Sequence, residues 1–214
     1  MTINDLIKIA RQDILNDVVP DYLWSDAQLE RFANDAIVEA CHRAPILRKA
    51  RIIQVTSGVA GYDVDTTVLQ IYFAKMGDDN NPLSATTDYE LSLNYGAGWR
   101  TLTGDPKRYM RRGHNIRLFP TPISNDSLAL TTSNIPDENF DLESDIEEQY
   151  HPHLVFYIGY KAFMMPDMDT YNPVKANDYL SMFDAKFGKR KSAKFDSVSF
   201  ETPMYGTIIS SRMA

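Results

Sequence analysis

The sequence contains one cysteine, Cys41, and no run of about eighteen apolar residues. A single cysteine excludes an intrachain disulfide framework. Because Cys41 falls within an apolar helical pattern, we expect a small buried hydrophobe rather than a reactive thiol. The missing apolar run argues against a membrane span, and charged residues interrupt the amphipathic amino terminus, unlike a signal peptide. We therefore expect a protein that does not interact with membranes.

Compact catalytic signatures are also missing. The sequence has no GxSxG elbow, Walker loop, Rossmann fingerprint or HExxH motif. His151 and His153 flank Pro152, which prevents the two rings from sharing a helical face as metal ligands. Residues 78–81 are rich in oxygen ligands but lack the spacing of a calcium loop. We predict no enzymatic activity, metal or cofactor, although an enzyme built from scattered residues is an alternative that the sequence leaves open.

The chain is acidic, with a net charge of -7, which disfavours non-specific DNA binding by the whole surface. One stretch is nevertheless basic, with Tyr109 and His114 interleaved among its cations. An aromatic and basic hairpin can contact phosphates or bases. The alternative, which we favour, is a solvated hairpin balanced by acidic neighbours, including those of an adjacent subunit. The cations are Arg100, Lys107, Arg108, Arg111, Arg112 and Arg117.

Helical periodicity occurs at both ends of the chain. A first helix is predicted over residues 3–18, and a second begins at a capping box formed by Ser25 and Gln28. Residues 154–165 are apolar on several faces, so this helix must be covered on more than one side. Pro152 should lie in its first turn, and Asn172 should cap a last helix that ends at Gly188. Core or subunit packing is expected for Trp24, Leu29, Phe32, Ile37, Leu154, Ile158, Phe163, Leu180 and Phe183.

Short alternating runs separated by turn residues predict antiparallel strands between residues 51 and 136. The strands are expected at 51–56, 68–75, 89–93, 107–110, 115–119 and 127–133, with hairpin turns at 58–61 and 112–113. The predicted fold is α+β: an antiparallel bundle of about four helices, a central antiparallel β-rich insertion and an extended C-terminal tail. The corresponding segments are 1–50 and 137–188 for the helices, 51–136 for the insertion and 189–214 for the tail.

The tail begins basic and then carries apolar residues without a helical stripe. Extended segments of this kind commonly add to the edge of another chain or lie in its groove, although the tail could equally fold back on its own domain. Its cations are Lys189, Arg190, Lys191 and Lys194, and its apolar residues are Phe200, Met204, Tyr205, Ile208 and Ile209.

Four segments, in this order, resemble the head-to-tail connector, or adaptor, proteins of tailed bacteriophages. An amino-terminal helix precedes LWSDAQLERFANDAIVEACHRAP; then follow KRYMRRGHNIRLFPTPISNDSLALTT, EEQYHPHLVFYIGYKAFMMPDMDTYNPVKANDYLSMFDAKFG and a polar tail. The resemblance covers most of the chain. The sequence departs from the usual pattern at Pro152 and in a longer β insertion at 76–85.

The resemblance implies a structural protein of the virion neck that forms a ring of twelve copies. During assembly the protein would be in the host cytoplasm. The ring would join the portal protein to a tail or nozzle protein, and genomic DNA would pass transiently through its centre. The tail residues named above are then expected to engage the portal, and Arg108, Tyr109, Arg111 and Arg112 to face the tail protein. The alternative is a nucleic-acid-binding or regulatory phage protein that uses the hairpin 107–117.

Overall fold

The computed structural model describes residues 1–19, 21–77, 81–166 and 169–190. These residues contain six α-helices and two β-sheets, which confirms the α+β class. They divide into a helical unit, Met1–Lys49 with Ser133–Arg190, and a β unit, Ala50–Thr132. The antiparallel four-helix arrangement stays a prediction, and residues 191–214 of the predicted tail lie outside the described residues. No helix within the described ranges has the length and hydropathy needed to cross a membrane.

The helical unit begins with two capped helices. Ser25 and Gln28 form the predicted capping box: Ser25 Oγ accepts a hydrogen bond from Gln28 N at 3.3 Å, and Gln28 Oε1 accepts one from Ser25 N at 2.8 Å. The helices are α1 (Ile3–Ile9), a π-helix (Ala10–Leu15), α2 (Asp26–Arg43), α4 (Leu142–Asp145), α5 (His151–Phe163) and α6 (Pro173–Phe187).

The first helix is shorter than predicted. It ends at Asn16, which adopts the left-handed conformation with φ of 54°, a conformation that asparagine tolerates better than most residues. Just before this end the buried Arg11 donates to Asp17 at 2.5 Å and to the carbonyl oxygen of Trp24 at 2.7 Å. The chain therefore turns at this network. Val18, which continues the apolar periodicity in the sequence, lies after the helix and is exposed.

Helix α5 is covered on several sides, as its sequence requires. It contacts α1, the π-helix, α2 and α6. Gly159 lies at a close approach, because a Cβ placed there would be 2.6 Å from Cγ2 of Ile14 and 3.1 Å from Cδ2 of Tyr179. The π-helix and α6 thus approach α5 more closely than any larger residue at this position would permit.

The boundaries of α5 and α6 follow local signals. Pro152 lies in the first turn of α5, where a missing N–H costs no helical hydrogen bond. Asn172 Oδ1 caps α6 by accepting from Lys175 N at 3.0 Å, and Gly188, with φ of 81°, ends it. These three predictions are confirmed.

The β unit contains two sheets with strand orders β1-β7-β3 and β2-β6-β5-β4. In the second sheet β5 and β6 form the predicted antiparallel hairpin, which turns at Gly113. Its pairing places Met110 opposite Arg117 and Arg112 opposite Asn115. The strands are β1 (Arg48–Val55), β2 (Gly61–Asp63), β3 (Val68–Met76), β4 (Ser84–Ala85), β5 (Arg108–Arg112), β6 (Asn115–Phe119) and β7 (Asp126–Asn134).

The predictions for the β region were wrong in three places. Residues 89–93 belong to a helix, α3 (Asp88–Tyr95), because Thr87 Oγ1 caps it by accepting from Glu90 N at 3.2 Å. The turn at 58–61 does not form a hairpin, since β1 pairs in one sheet and β2 in the other. The short strand β4 pairs with β5 in parallel rather than antiparallel.

We expect Gly159→Ala to destabilise the helical unit. Helix propensity favours alanine by about 1 kcal/mol, but forcing a methyl group into packed surroundings costs about 1–3 kcal/mol and here meets the buried Ile14. The free energy of unfolding in urea should therefore fall, measured through labelling of Cys41, the sole thiol of the chain and a buried residue of α2.

The matched control is Gly98→Ala, because no atom lies within 4 Å of a Cβ placed at Gly98. This variant should leave the labelling curve within about 0.5 kcal/mol of the original protein. Equal stability of the two variants would contradict the close packing at Gly159.

Candidate partner-binding surfaces

The base of the C-terminal tail is held by charged side chains of α2 and α6. Arg43 donates to Glu39 Oε1 at 2.8 Å and to the carbonyl oxygen of Gly188 at 3.1 Å, and it forms an ion pair with Asp184. Arg190 then donates to Glu39 Oε2 at 2.9 Å. We call Glu39, Arg43, Asp184 and Arg190 the tail-base network. It fixes the point at which the chain leaves the helical unit.

Burial decides the strength of this network. The side chains of Arg43 and Glu39 are only 8 % and 9 % exposed, and the guanidinium of Arg43 lies 4.9 Å from the ring centroid of Phe183. Burial alone would lower the pKa of Arg43, but its hydrogen bonds to Glu39 and Asp184 outweigh that effect and raise the pKa. Arg43 therefore stays charged, and removing it would take this partner from the buried Glu39 carboxylate and the half-buried Asp184 carboxylate.

The predicted portal-binding residues lie at or beyond the tail-base network. Lys189 and Arg190 are exposed immediately after α6. The other predicted residues lie outside the described residues: Lys191, Lys194, Phe200, Met204, Tyr205, Ile208 and Ile209. Sequence reasoning missed Glu39 and Arg43, although their i, i+4 spacing on α2 was a usable signal.

The structure divides into two pairs the four residues that were predicted to face the phage tail protein. Tyr109 is 8 % exposed and belongs to the larger core of the β unit, where burial raises its pKa. Arg111 donates to the carbonyl oxygens of Val68 at 2.6 Å and Leu69 at 2.7 Å, so it ties the hairpin to β3. Arg108, half-buried, and Arg112, exposed, lie on the opposite face of the hairpin from Tyr109 and Arg111.

A cavity of about 220 Å³ lies on the other face of this hairpin. Side chains alternate between the faces of a strand, and the register places Met110, Arg112, Asn115 and Arg117 together on one face. The residues that line the cavity are Asp88, Trp99, Arg100, Met110, Arg112, Asn115 and Arg117. We call this cavity the hairpin pocket. The basic stretch indicated its arginines, but Asp88 begins α3, where a strand was predicted at 89–93, and Trp99 lies in a short 3-10 helix (Ala97–Thr101) that the sequence did not predict.

The histidines and the cysteine have structural positions. His151 is buried, and its Nε2 lies 2.9 Å from the carbonyl oxygen of Ile146. Burial raises the pKa of the Cys41 thiol to about 12, so the thiol is protonated at neutral pH. Within the ranges that the structure describes, no group of three or more His, Cys, Asp or Glu side chains is placed to hold a metal ion.

The residues expected in the core or at subunit contacts lie in the helical unit. Leu180 is half-buried. The others are buried: Trp24, Leu29, Phe32, Ile37, Leu154, Ile158, Phe163 and Phe183. Their burial within one copy accounts for the apolar excess of α5 without requiring a second subunit.

Comparison with known protein families identifies the chain. Residues 1–204 match the model of one family, described as SU10 adaptor protein. The chain belongs to the SU10 adaptor family. This adaptor is thus a member of a family of phage head-to-tail adaptors, which confirms the resemblance drawn from the four sequence segments. No curated protein matches the sequence. Membership implies a structural rather than enzymatic protein that associates with head and tail components in the virion neck.

We expect Arg43→Met to destabilise the helical unit by about 3 kcal/mol, at the lower end of the cost of breaking a buried ion pair. Methionine keeps the contact with Phe183 but leaves Asp184 without the guanidinium. Urea unfolding followed by Cys41 labelling measures the loss. Lys8→Met, at an exposed position of α1, is the control; an equal effect of the two changes would show that the tail-base network contributes little.

Proposed function

We propose that this adaptor assembles as a ring of twelve copies between the portal of the phage head and a tail or nozzle protein. The observation that carries the proposal is the family match over residues 1–204, which spans the described parts of both units. Genomic DNA would pass through the centre of the ring. A net charge of -7 suits that passage, because an acidic lumen repels phosphate and does not retain the DNA.

In this proposal the C-terminal tail of the chain contacts the portal. Arg190 is anchored to α2 through Glu39, so the segment after it starts from a fixed position on each subunit. That segment carries Lys191 and Lys194 and then the apolar residues Phe200 to Ile209. Apolar side chains on such a segment fit a groove or sheet edge of a partner chain.

The hairpin supplies the contact with the tail protein. Of the four residues first assigned to this surface, Arg108 and Arg112 lie on one face of the hairpin, and Arg112 is exposed. The alternative, a nucleic-acid-binding or regulatory protein that uses residues 107–117, loses support because Arg111 is committed to the backbone carbonyl oxygens of Val68 and Leu69.

Two altered adaptors test the two contacts separately. Deleting residues 200–214 should leave a folded protein that no longer binds portal-bearing heads. Reversing Arg108 and Arg112 together to glutamate should leave head binding intact but prevent the joining of tails, because the cations that meet the tail protein are lost. Sedimentation of heads and infectivity after complementation measure the two steps.

Each altered adaptor serves as the control for the other, and Lys8→Glu controls for a charge reversal elsewhere on the surface. Normal attachment of the truncated chain would refute the portal contact, and normal tail joining by the double reversal would refute the hairpin contact. Salt-sensitive retardation of DNA by the isolated chain would instead support the nucleic-acid-binding alternative.

A further inference from the structure

We infer that the hairpin pocket binds a carboxylate group of an acidic segment of a partner protein. The described residues that line the pocket all belong to the β unit of one chain, so carboxylate binding can be measured on the isolated chain. The inference rests on the proposed function only for the identity of the partner, a component of the tail.

The charges of the pocket are unbalanced. Among the residues that the structure describes, three guanidinium groups and one carboxylate line it. The carboxylate of Asp88 accepts from Arg100 Nη2 at 3.3 Å and pairs through its other oxygen with Arg112. Arg117 has no ion pair among the described residues, so a second anion in the pocket would meet an uncompensated cation.

Two hydrogen-bond donors in the lining also lack acceptors. Trp99 is 1 % exposed, and its Nε1 has no hydrogen-bond partner among the described residues. The same holds for the buried Nε of Arg117. Buried donors are nearly always paired, and leaving one unpaired costs free energy. A ligand that brings oxygen acceptors would relieve this cost.

The Trp99 side of the pocket is packed before any ligand binds. Trp99 packs in a small core with Leu91, Met110 and Phe119, and its ring meets that of Phe119 edge to face at 5.9 Å. The guanidinium carbons of Arg100 and Arg117 lie 4.5 Å and 5.3 Å from the centroid of Trp99. Stacking on Trp99 limits the conformations of both arginines, which reduces the side-chain entropy that they lose on binding an anion.

The geometry favours a carboxylate over a DNA phosphate. Asp88 pairs with both Arg100 and Arg112, so these guanidinium groups already have a carboxylate as their partner, and arginine can bind a planar carboxylate through two parallel hydrogen bonds. A cavity of about 220 Å³ holds one short acidic side chain. Duplex DNA is held by cations spread along its backbone, whereas these three converge on one cavity in a chain of net charge -7.

The indole N–H resonances of the full chain test the inference directly. The chain has two tryptophans, so Trp99 reports on the pocket, and Trp24, buried in the helical unit, is an internal control. Titration with sodium acetate, at ionic strength held constant with sodium chloride, should shift the Trp99 signal to saturation and leave the Trp24 signal unchanged. Trp99→Phe assigns the signal.

Arg117→Gln should weaken the apparent affinity for acetate about tenfold, since it removes a charged donor, whereas Lys8→Gln should not change it. A Trp99 signal that ignores acetate, or that moves equally with chloride, overturns the inference. A signal that responds to a short DNA duplex at lower concentration than to acetate overturns the assignment to carboxylate. Neither result depends on whether the chain joins heads to tails.

Discussion

The helical unit depends on the apolar helix α5. Apolar side chains lie on several faces of this helix, so it must be covered on more than one side. The π-helix, α2 and α6 pack around it, and Gly159 permits the close approach of the π-helix and α6. With α2 and α6 held against the same helix, Arg43 can reach both Glu39 and Asp184. Hydrophobic burial thus creates the charged network at the base of the C-terminal tail.

This arrangement favours the binding of partner proteins. The tail-base network gives the segment beyond Arg190 a defined origin, and a chain with a fixed origin loses less entropy when it binds. The β unit contributes a hairpin whose inner face is core and whose other face carries the hairpin pocket. Both features are built from charged groups set on rigid elements, which favours specific recognition over general adhesion.

Local signals in the sequence were sufficient for the helix termini and for one hairpin. The capping box at Ser25, the Asn172-Pro173 pair and Gly113 each act within a few residues, so their effects could be predicted. The helix α3 was mistaken for a strand because Tyr89, Leu91 and Leu93 alternate, yet only Leu91 is buried.

The features that sequence reasoning missed depend on distant residues. Asp184 lies 141 residues from Arg43, and no periodicity links them. The pairing of β2 with β6 rather than β1 is likewise set by tertiary packing. Tyr109 was predicted to lie on the surface with its basic neighbours. Because side chains alternate along a strand, Tyr109 lies in the core of the β unit and Met110 faces the pocket.

Electron microscopy of the full chain mixed with portal-bearing heads tests the central claim most directly. The proposed function predicts a ring of adaptor density on the exposed end of the portal, with twelve-fold symmetry and an open channel. Heads that show no added density at saturating adaptor, or adaptor bound elsewhere on the capsid, would contradict it.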